Sequence, residues 1–144
     1  MQPSHYPERV LKRLRGAADN RWQDSQHLDA GEVSRYRVLN GYPCIEESPA
    51  VVPPGFAAVL TFRAVLRVLH DPTLDLPFGR NLHASQSLTW QYPLTADTQV
   101  HTTSRVTNVV SRPSALFFDV CTETRDHRGY LCCAGTSTQA LRHV

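Results

Sequence analysis

From Phe56 to Leu69 apolar residues run almost all the way round a helical projection: Phe56, Val59, Leu60, Phe62, Val65, Leu66, Val68 and Leu69. The spacing predicts a helix over about 55–70, opened by the corner Pro53-Pro54-Gly55 and stopped by Asp71-Pro72. A helix that is apolar round most of its circumference is enclosed by other elements. Its polar side chains, Arg63, Arg67 and His70, fall at i, i+4 and i+7 and so form a single stripe. Upstream, Asp29 followed three residues later by Glu32 fits a capping box. Val33, Tyr36, Val38 and Leu39 then supply an apolar face, so a second helix is expected over about 30–39, ended by Asn40-Gly41 and Pro43.

Past residue 80 the period changes from helical to two. NLHASQSLTWQ alternates Leu82, Ala84, Leu88 and Trp90 with polar residues, and TQVHTTSRVTNVV, SALFFDVCTET and YLCCAGTSTQAL follow. Turns fall at Ser111-Arg112-Pro113 and at Asp126-His127-Arg128-Gly129. The expectation is four strands between 81 and 142 in an antiparallel sheet. Residues 1–27 read as a peripheral segment with a short amphipathic helix, and 28–144 as one domain. A long buried helix wrapped by a curved antiparallel sheet is an α+β, hot-dog architecture.

Composition narrows the function. The 144 residues are 41% hydrophobic, enough for a real core. A net charge of +2 with scattered Lys and Arg argues against nucleic acid. No apolar run reaches a membrane span and MQPSHYPERV has no apolar h-region, so a cytoplasmic location is expected. Cys44, Cys121, Cys132 and Cys133 form no metal pattern. Adjacent residues of a strand face opposite ways, so Cys132 and Cys133 are expected on opposite faces as small apolar fillers.

Three stretches carry a resemblance that covers roughly residues 28–142. HLDAGEVSRYRVLNGY resembles the opening helix of MaoC-like hot-dog domains, the hydroxyacyl-thioester dehydratase and enoyl-thioester hydratase group. Val52-Pro53-Pro54-Gly55-Phe56 resembles the start of that family's central helix. Trp90 to Thr98, WQYPLTADT, resembles its bend between meander strands, with Asp97 as a structural turn aspartate. The family's catalytic Asp and His come from a D-x-N-P-x-H segment. Here Tyr42 stands where the Asp would be, and no His lies between Tyr42 and Gly55. The short loop therefore looks more like the non-catalytic N-terminal half of double-hot-dog hydratases, which shapes the acyl tunnel.

What the resemblance implies is a domain that binds an acyl or polyketide-like thioester, in dehydration, hydration or a related addition. The substrate would ride on CoA or on the phosphopantetheine of an acyl carrier protein, with no cofactor of the protein's own. Such chemistry needs a base for the α-proton and an acid for the hydroxyl. Glu46, beside Glu47, and His83 are the candidate catalytic groups, with Tyr42 at the aspartate position. Pro54, Gly55 and Phe56 are candidates for substrate binding, since amides at a helix start polarise a carbonyl. Arg63 and Arg67 are candidates for the carrier's phosphates. A lone hot-dog leaves a sheet edge open, so a homodimer or a heterodimer with another hot-dog subunit is expected. The alternatives are a non-catalytic subunit that completes a partner's tunnel, and a thioesterase.

Overall fold

The computed structural model describes residues 6–43 and 50–143. Helix α1 (Tyr6–Gly16) leads into strand β1 (Trp22–His27), helix α2 (Ala30–Leu39) and the central helix α3 (Phe56–Leu69). A short 3-10 turn then enters β2 (Asn81–Trp90), β3 (Gln99–Ser111), β4 (Ala115–Asp126) and β5 (Leu131–Arg142). The five strands form one antiparallel sheet in the order β1-β3-β4-β5-β2. α3 lies in the hollow of the sheet, in close contact with β1, β3, β4 and β5. This is the hot-dog arrangement, and both helices fall where the sequence places them.

The N-terminal segment is part of that fold rather than its periphery. WQDSQH supplies a fifth strand, pairing Trp22–His27 with Gln99–Ser104 of β3. Helix α1 packs against β3, and its Val10 and Leu14, with Ala17 just past its end, enter the core with Val65, Val68, Val106, Phe118 and Val120. A second apolar cluster (Leu28, Val33, Val52, Phe56, Leu60, Leu94, Val100) fills the other end of the hollow. Buried hydroxyls and amides lie between them, among them Thr61, Thr102, Ser104, Thr122, Ser137 and Gln139. Thr102 and Thr124 bond each other at 2.9 Å, which satisfies two of these groups away from water.

α3 is less enclosed than its sequence suggests. Beside its arginines, Ala58 is exposed and Phe62 is 50% exposed. The arginines themselves tie α3 to its neighbours. Arg63 donates to Glu32 at 2.6 Å and to Gln26 at 3.0 Å, and Arg67 donates to the buried carboxylate of Asp24 on β1. Glu32 thus leaves half the capping box undone, while Asp29 accepts the Glu32 amide at 2.8 Å. At the far end Asp71 accepts from the Thr73 hydroxyl and amide and from the Trp22 indole. Led by the Thr73 hydroxyl, these bonds outweigh desolvation and hold the carboxyl below its usual range.

Three β-bulges alter side-chain facing. One falls between His83 and Ser85, so Leu82, in phase with Leu88 by simple alternation, turns out of the hollow and is 53% exposed. Another lets Asn108 take φ +50° and bond Asp119 at 2.8 Å. The third inserts Cys132 opposite the Thr124–Arg125 step. Cys132 and Cys133 are therefore both buried, not split between an inner and an outer face. Desolvation, followed by the neighbouring Cys132, pushes the Cys133 thiol up to about 11. The uncharged thiol is the form the fold favours, so this contribution is complete below the ordinary thiol value. It is lost as pH rises through about 11. At neutral pH an alkylating reagent is expected to reach half-exposed Cys121 and to spare Cys132 and Cys133 until the chain unfolds. Peptide mass mapping reads this, and native labelling of Cys133 as fast as Cys121 would contradict the packing.

Candidate functional site at the start of the central helix

The corner before α3 is built by backbone hydrogen bonds that prolines cannot donate. The Phe56 amide donates to the Pro53 carbonyl at 2.9 Å, Ala57 to Pro54 at 3.1 Å and Ala58 to Gly55 at 3.2 Å. The Gly55 amide makes no backbone bond among the described residues, and it sits at the positive end of the α3 dipole. Of the two amides expected to meet a carbonyl, that of Phe56 is engaged by Pro53, while that of Gly55 has no backbone partner among the described residues.

Gly55 is needed for space, not for conformation, since its φ of −63° and ψ of −23° suit any residue. The Tyr36 hydroxyl of α2 packs against it, and a Cβ at position 55 would come within 2.4 Å of that oxygen. Tyr36 is held edge-on to Phe56 at 5.4 Å between ring centroids and stacks on Tyr42 at 6.3 Å. Tyr42 is thus part of an aromatic wall. Tyr36 was legible in the sequence only as one more apolar position of α2, and the structure brings its hydroxyl to the site. Next to it Arg37 donates to the carbonyls of Pro43 (3.3 Å) and Val51 (2.6 Å), clamping the two chain ends that lead to and from residues 44–49.

A cleft of about 240 Å³ opens beside this corner, lined by Val51, Val52, Pro54, Trp90, Gln91, Tyr92 and Pro93. A larger trough of about 500 Å³ lies on the outer face of the sheet, between Thr89, Thr103, Arg105, Glu123 and Thr136. That trough lies on the face of the sheet away from α3, so the smaller cleft, which abuts a helix N-terminus, is the candidate site. Its described residues include no His, Asp or Glu. His83 stands seven residues from Trp90 along β2, about 23 Å at strand rise. Arg63 and Arg67 face β1 and α2, with their charges met there. Glu46 and Glu47 lie outside the described residues. A His–Asp pair, His27 and Asp97 at 3.8 Å, belongs to the start of α2, where Asp97 also accepts the Ala30 amide at 3.2 Å; both side chains are more than half exposed. Asp97 takes φ +58° at the bend before β3, in keeping with a turn role. No group of three or more His, Cys, Asp or Glu that could hold a metal occurs among the described residues, and no helix there is long and apolar enough to cross a membrane.

Residues 45–134 match the family model described as FAS1-like, dehydratase domain region. The chain belongs to this family. Similar sequences include a UPF0336 protein of Saccharopolyspora erythraea, 28% identical over 102 residues, which are 71% of this chain and 62% of that protein. The FAS1-like dehydratase-region chain thus spans less than two thirds of the length of the curated relatives it matches. Among solved structures it is similar to the C-terminally truncated HadBC (3R-hydroxyacyl-ACP dehydratase) complex of Mycobacterium tuberculosis. The TM-score is 0.68 at 13% identity, over 83% of this chain and 93% of that one. The MaoC-like dehydratase of Rhodospirillum rubrum gives a TM-score of 0.60 at 16% identity, over 87% and 92%. These likenesses agree with the fold and with the MaoC-like resemblance of the sequence.

Proposed function

We propose that this chain binds an acyl thioester at the start of α3 and serves in dehydration or hydration of hydroxyacyl or enoyl thioesters, as one subunit of a hot-dog pair. The observation that carries the reading is the composition of the cleft. It has apolar walls, and its lining residue Pro54 is followed in the chain by Gly55, whose amide is a donor suited to a thioester carbonyl. Its described lining holds no His, Asp or Glu, which supports a reading in which a second hot-dog subunit supplies the proton-transfer groups.

The surface supports such a partner. β2 is a sheet edge of ten residues with no Asp, Glu, Lys, Arg or Pro in it, paired only with β5. Edges that stay single are usually guarded by charge, proline, a bulge or a cover, and of these β2 carries one bulge, at Ala84. Phe62 of α3, half exposed, adds apolar surface to that covered at a subunit contact. The structurally similar HadBC (3R-hydroxyacyl-ACP dehydratase) is a complex, which accords with a multisubunit arrangement here. CoA or the phosphopantetheine of a carrier protein would deliver the acyl group.

The test is loss of enoyl-thioester absorbance when the purified chain meets a trans-2-enoyl-CoA, alone and with a hot-dog subunit carrying D-x-N-P-x-H. Turnover only in the mixture is the expected result. Turnover by the chain alone, lost in Glu46→Gln or His83→Ala, would instead make it a self-sufficient lyase and overturn the subunit reading.

A further inference from the structure

We propose that the trough on the outer face of the sheet is a binding site for a phosphorylated sugar. Arg21 and Arg105 hold its phosphate, and Glu123 with the small polar residues beside it holds its hydroxyls. The site lies across the sheet from α3 and stands independently of the thioester reading of Gly55.

The strand registers assemble it. Arg105 of β3 lies opposite Cys121 of β4, Cys121 opposite Thr136 of β5, and Thr136 opposite Ser87 of β2. The neighbouring row of the same face runs Thr103, Glu123, Ala134 and Thr89. Ser104, Val106, Val120 and Thr122 alternate with these residues and are buried on the α3 side. Cys121, Ala134 and Thr136 are half-buried in the middle, while Arg21, Arg105 and Glu123 are exposed around them. Short side chains between longer ones leave a hollow of about 500 Å³. Small-molecule sites occupy about 300–1,000 Å³, so the trough has room for far more than a bare phosphate ion.

Its polar groups change character across the strands. Arg21, just before β1, is held by the neutral carbonyls of Ala18 (3.2 Å) and Asn20 (2.9 Å). Arg105 has no hydrogen bond or ion pair among the described residues. Two like charges lining one hollow, neither paired with a carboxylate, favour an anion between them. The fork of a guanidinium matches two oxygens of a phosphate.

Glu123 stands on the next strand, diagonal to Arg105, and is paired through one oxygen with Arg125 at 3.2 Å. Its carboxylate repels a second negative charge, but its remaining oxygen accepts from hydroxyl groups. Beyond it lie Thr136, Ser87 and Thr89, whose hydroxyls both donate and accept. The Thr103 hydroxyl donates to Gln23 at 3.0 Å and is left as an acceptor. From β3 to β5 is two strand spacings, about 10 Å, a length that a pentose with a terminal phosphate spans. A compact polyanion would meet Glu123, and a neutral sugar would leave both arginines unmet. A phosphorylated sugar satisfies the two ends together.

Cys121 supplies the readout. Its sulfur lies 3.3 Å from the Thr107 hydroxyl and is half-exposed, so a ligand seated over it shields it from alkylation. The experiment measures the alkylation rate of Cys121 in the full chain, by peptide mass mapping, with ribose 5-phosphate, inorganic phosphate or ribose present. Millimolar ribose 5-phosphate is expected to slow labelling, about tenfold once it reaches about ten times its Kd. Phosphate or ribose alone at the same concentrations is expected to leave the rate nearly unchanged. Arg105→Gln, at an exposed position, is expected to raise the Kd for ribose 5-phosphate about ten- to a hundredfold with an unchanged melting temperature. Glu123→Ala is expected to weaken ribose 5-phosphate yet strengthen inorganic phosphate, since it removes a hydroxyl acceptor and a repelling charge together. Amide NMR shifts at Thr103, Arg105 and Thr136 read the same equilibria without the thiol. Protection by inorganic phosphate equal to that by ribose 5-phosphate would overturn the sugar assignment. Ribose 5-phosphate that neither protects Cys121 nor moves those amides, or that binds Arg105→Gln as tightly as wild type, would overturn the site.

Discussion

Phe118→Ala is expected to cost about 3–5 kcal/mol of folding stability, the largest effect of any single truncation proposed here. Phe118 is fully buried on β4 in the cluster that joins α1 (Val10, Leu14), α3 (Val65, Val68) and the sheet. Removing the ring leaves a void that three separate elements would have to close together. Close packing lets them relax only in part, so the cavity cost adds to the lost transfer free energy. For a chain of this size the melting temperature should fall by about 10 °C or more. Val110→Ala, on the same sheet at 40% exposure, serves as the control and should stay within about 0.5 kcal/mol. Equal losses for the two variants in thermal unfolding would mean that α1 is not part of the core.

The second large effect is at Gly55. With helical φ and ψ, an alanine there would ordinarily stabilise the chain by restricting its unfolded state. Here Gly55→Ala is expected to destabilise by about 1–3 kcal/mol, because the new methyl meets the Tyr36 hydroxyl at 2.4 Å. The diagnosis lies in the double mutant. With Tyr36→Phe the nearest remaining atom is a ring carbon 3.5 Å away, an ordinary contact. In that background Gly55→Ala should be neutral or slightly favourable, giving a coupling of about 1–3 kcal/mol. Additive losses in denaturant melts would show that Tyr36 does not pack on this corner.

What the sequence showed of the fold follows from where local signals agree with the tertiary structure. α2 and α3 begin and end at residues whose chemistry is local: Asp29 with its capping bond, Pro53-Pro54 without amide hydrogens, Asn40-Gly41 as a stop. β1 was hidden because the residue it buries is Asp24, a carboxylate satisfied by Arg67 from 43 positions away, so WQDSQH shows no apolar alternation. A short amphipathic helix was readable in the N-terminal segment, but not that its Val10 and Leu14 enter the core. The bulges at Ala84 and Cys132 each reset the facing of a strand by one residue, which no period of two can register.

The candidate site was legible in its backbone and less so in its side chains. Pro54 and Gly55 mark the start of α3 in any reading, whereas Tyr36 becomes part of the site only when α2 is laid against that start. Arg63 and Arg67 read as a stripe open to a ligand because their partners, Glu32, Gln26 and Asp24, lie on other elements. The hydrogen bond from Gln86 to Thr61 likewise joins residues 25 positions apart, each unremarked in its own segment.

The central claim is that a thioester carbonyl meets the Gly55 amide, and the measurement closest to it is an amide NMR titration of the isotopically labelled chain with butyryl-CoA. The account predicts that the Gly55 resonance moves downfield and saturates, with smaller shifts at Val52 and Trp90 around the same cleft. Shifts confined to the outer-face trough at Thr103, Arg105 and Thr136, with Gly55 unmoved, would contradict it.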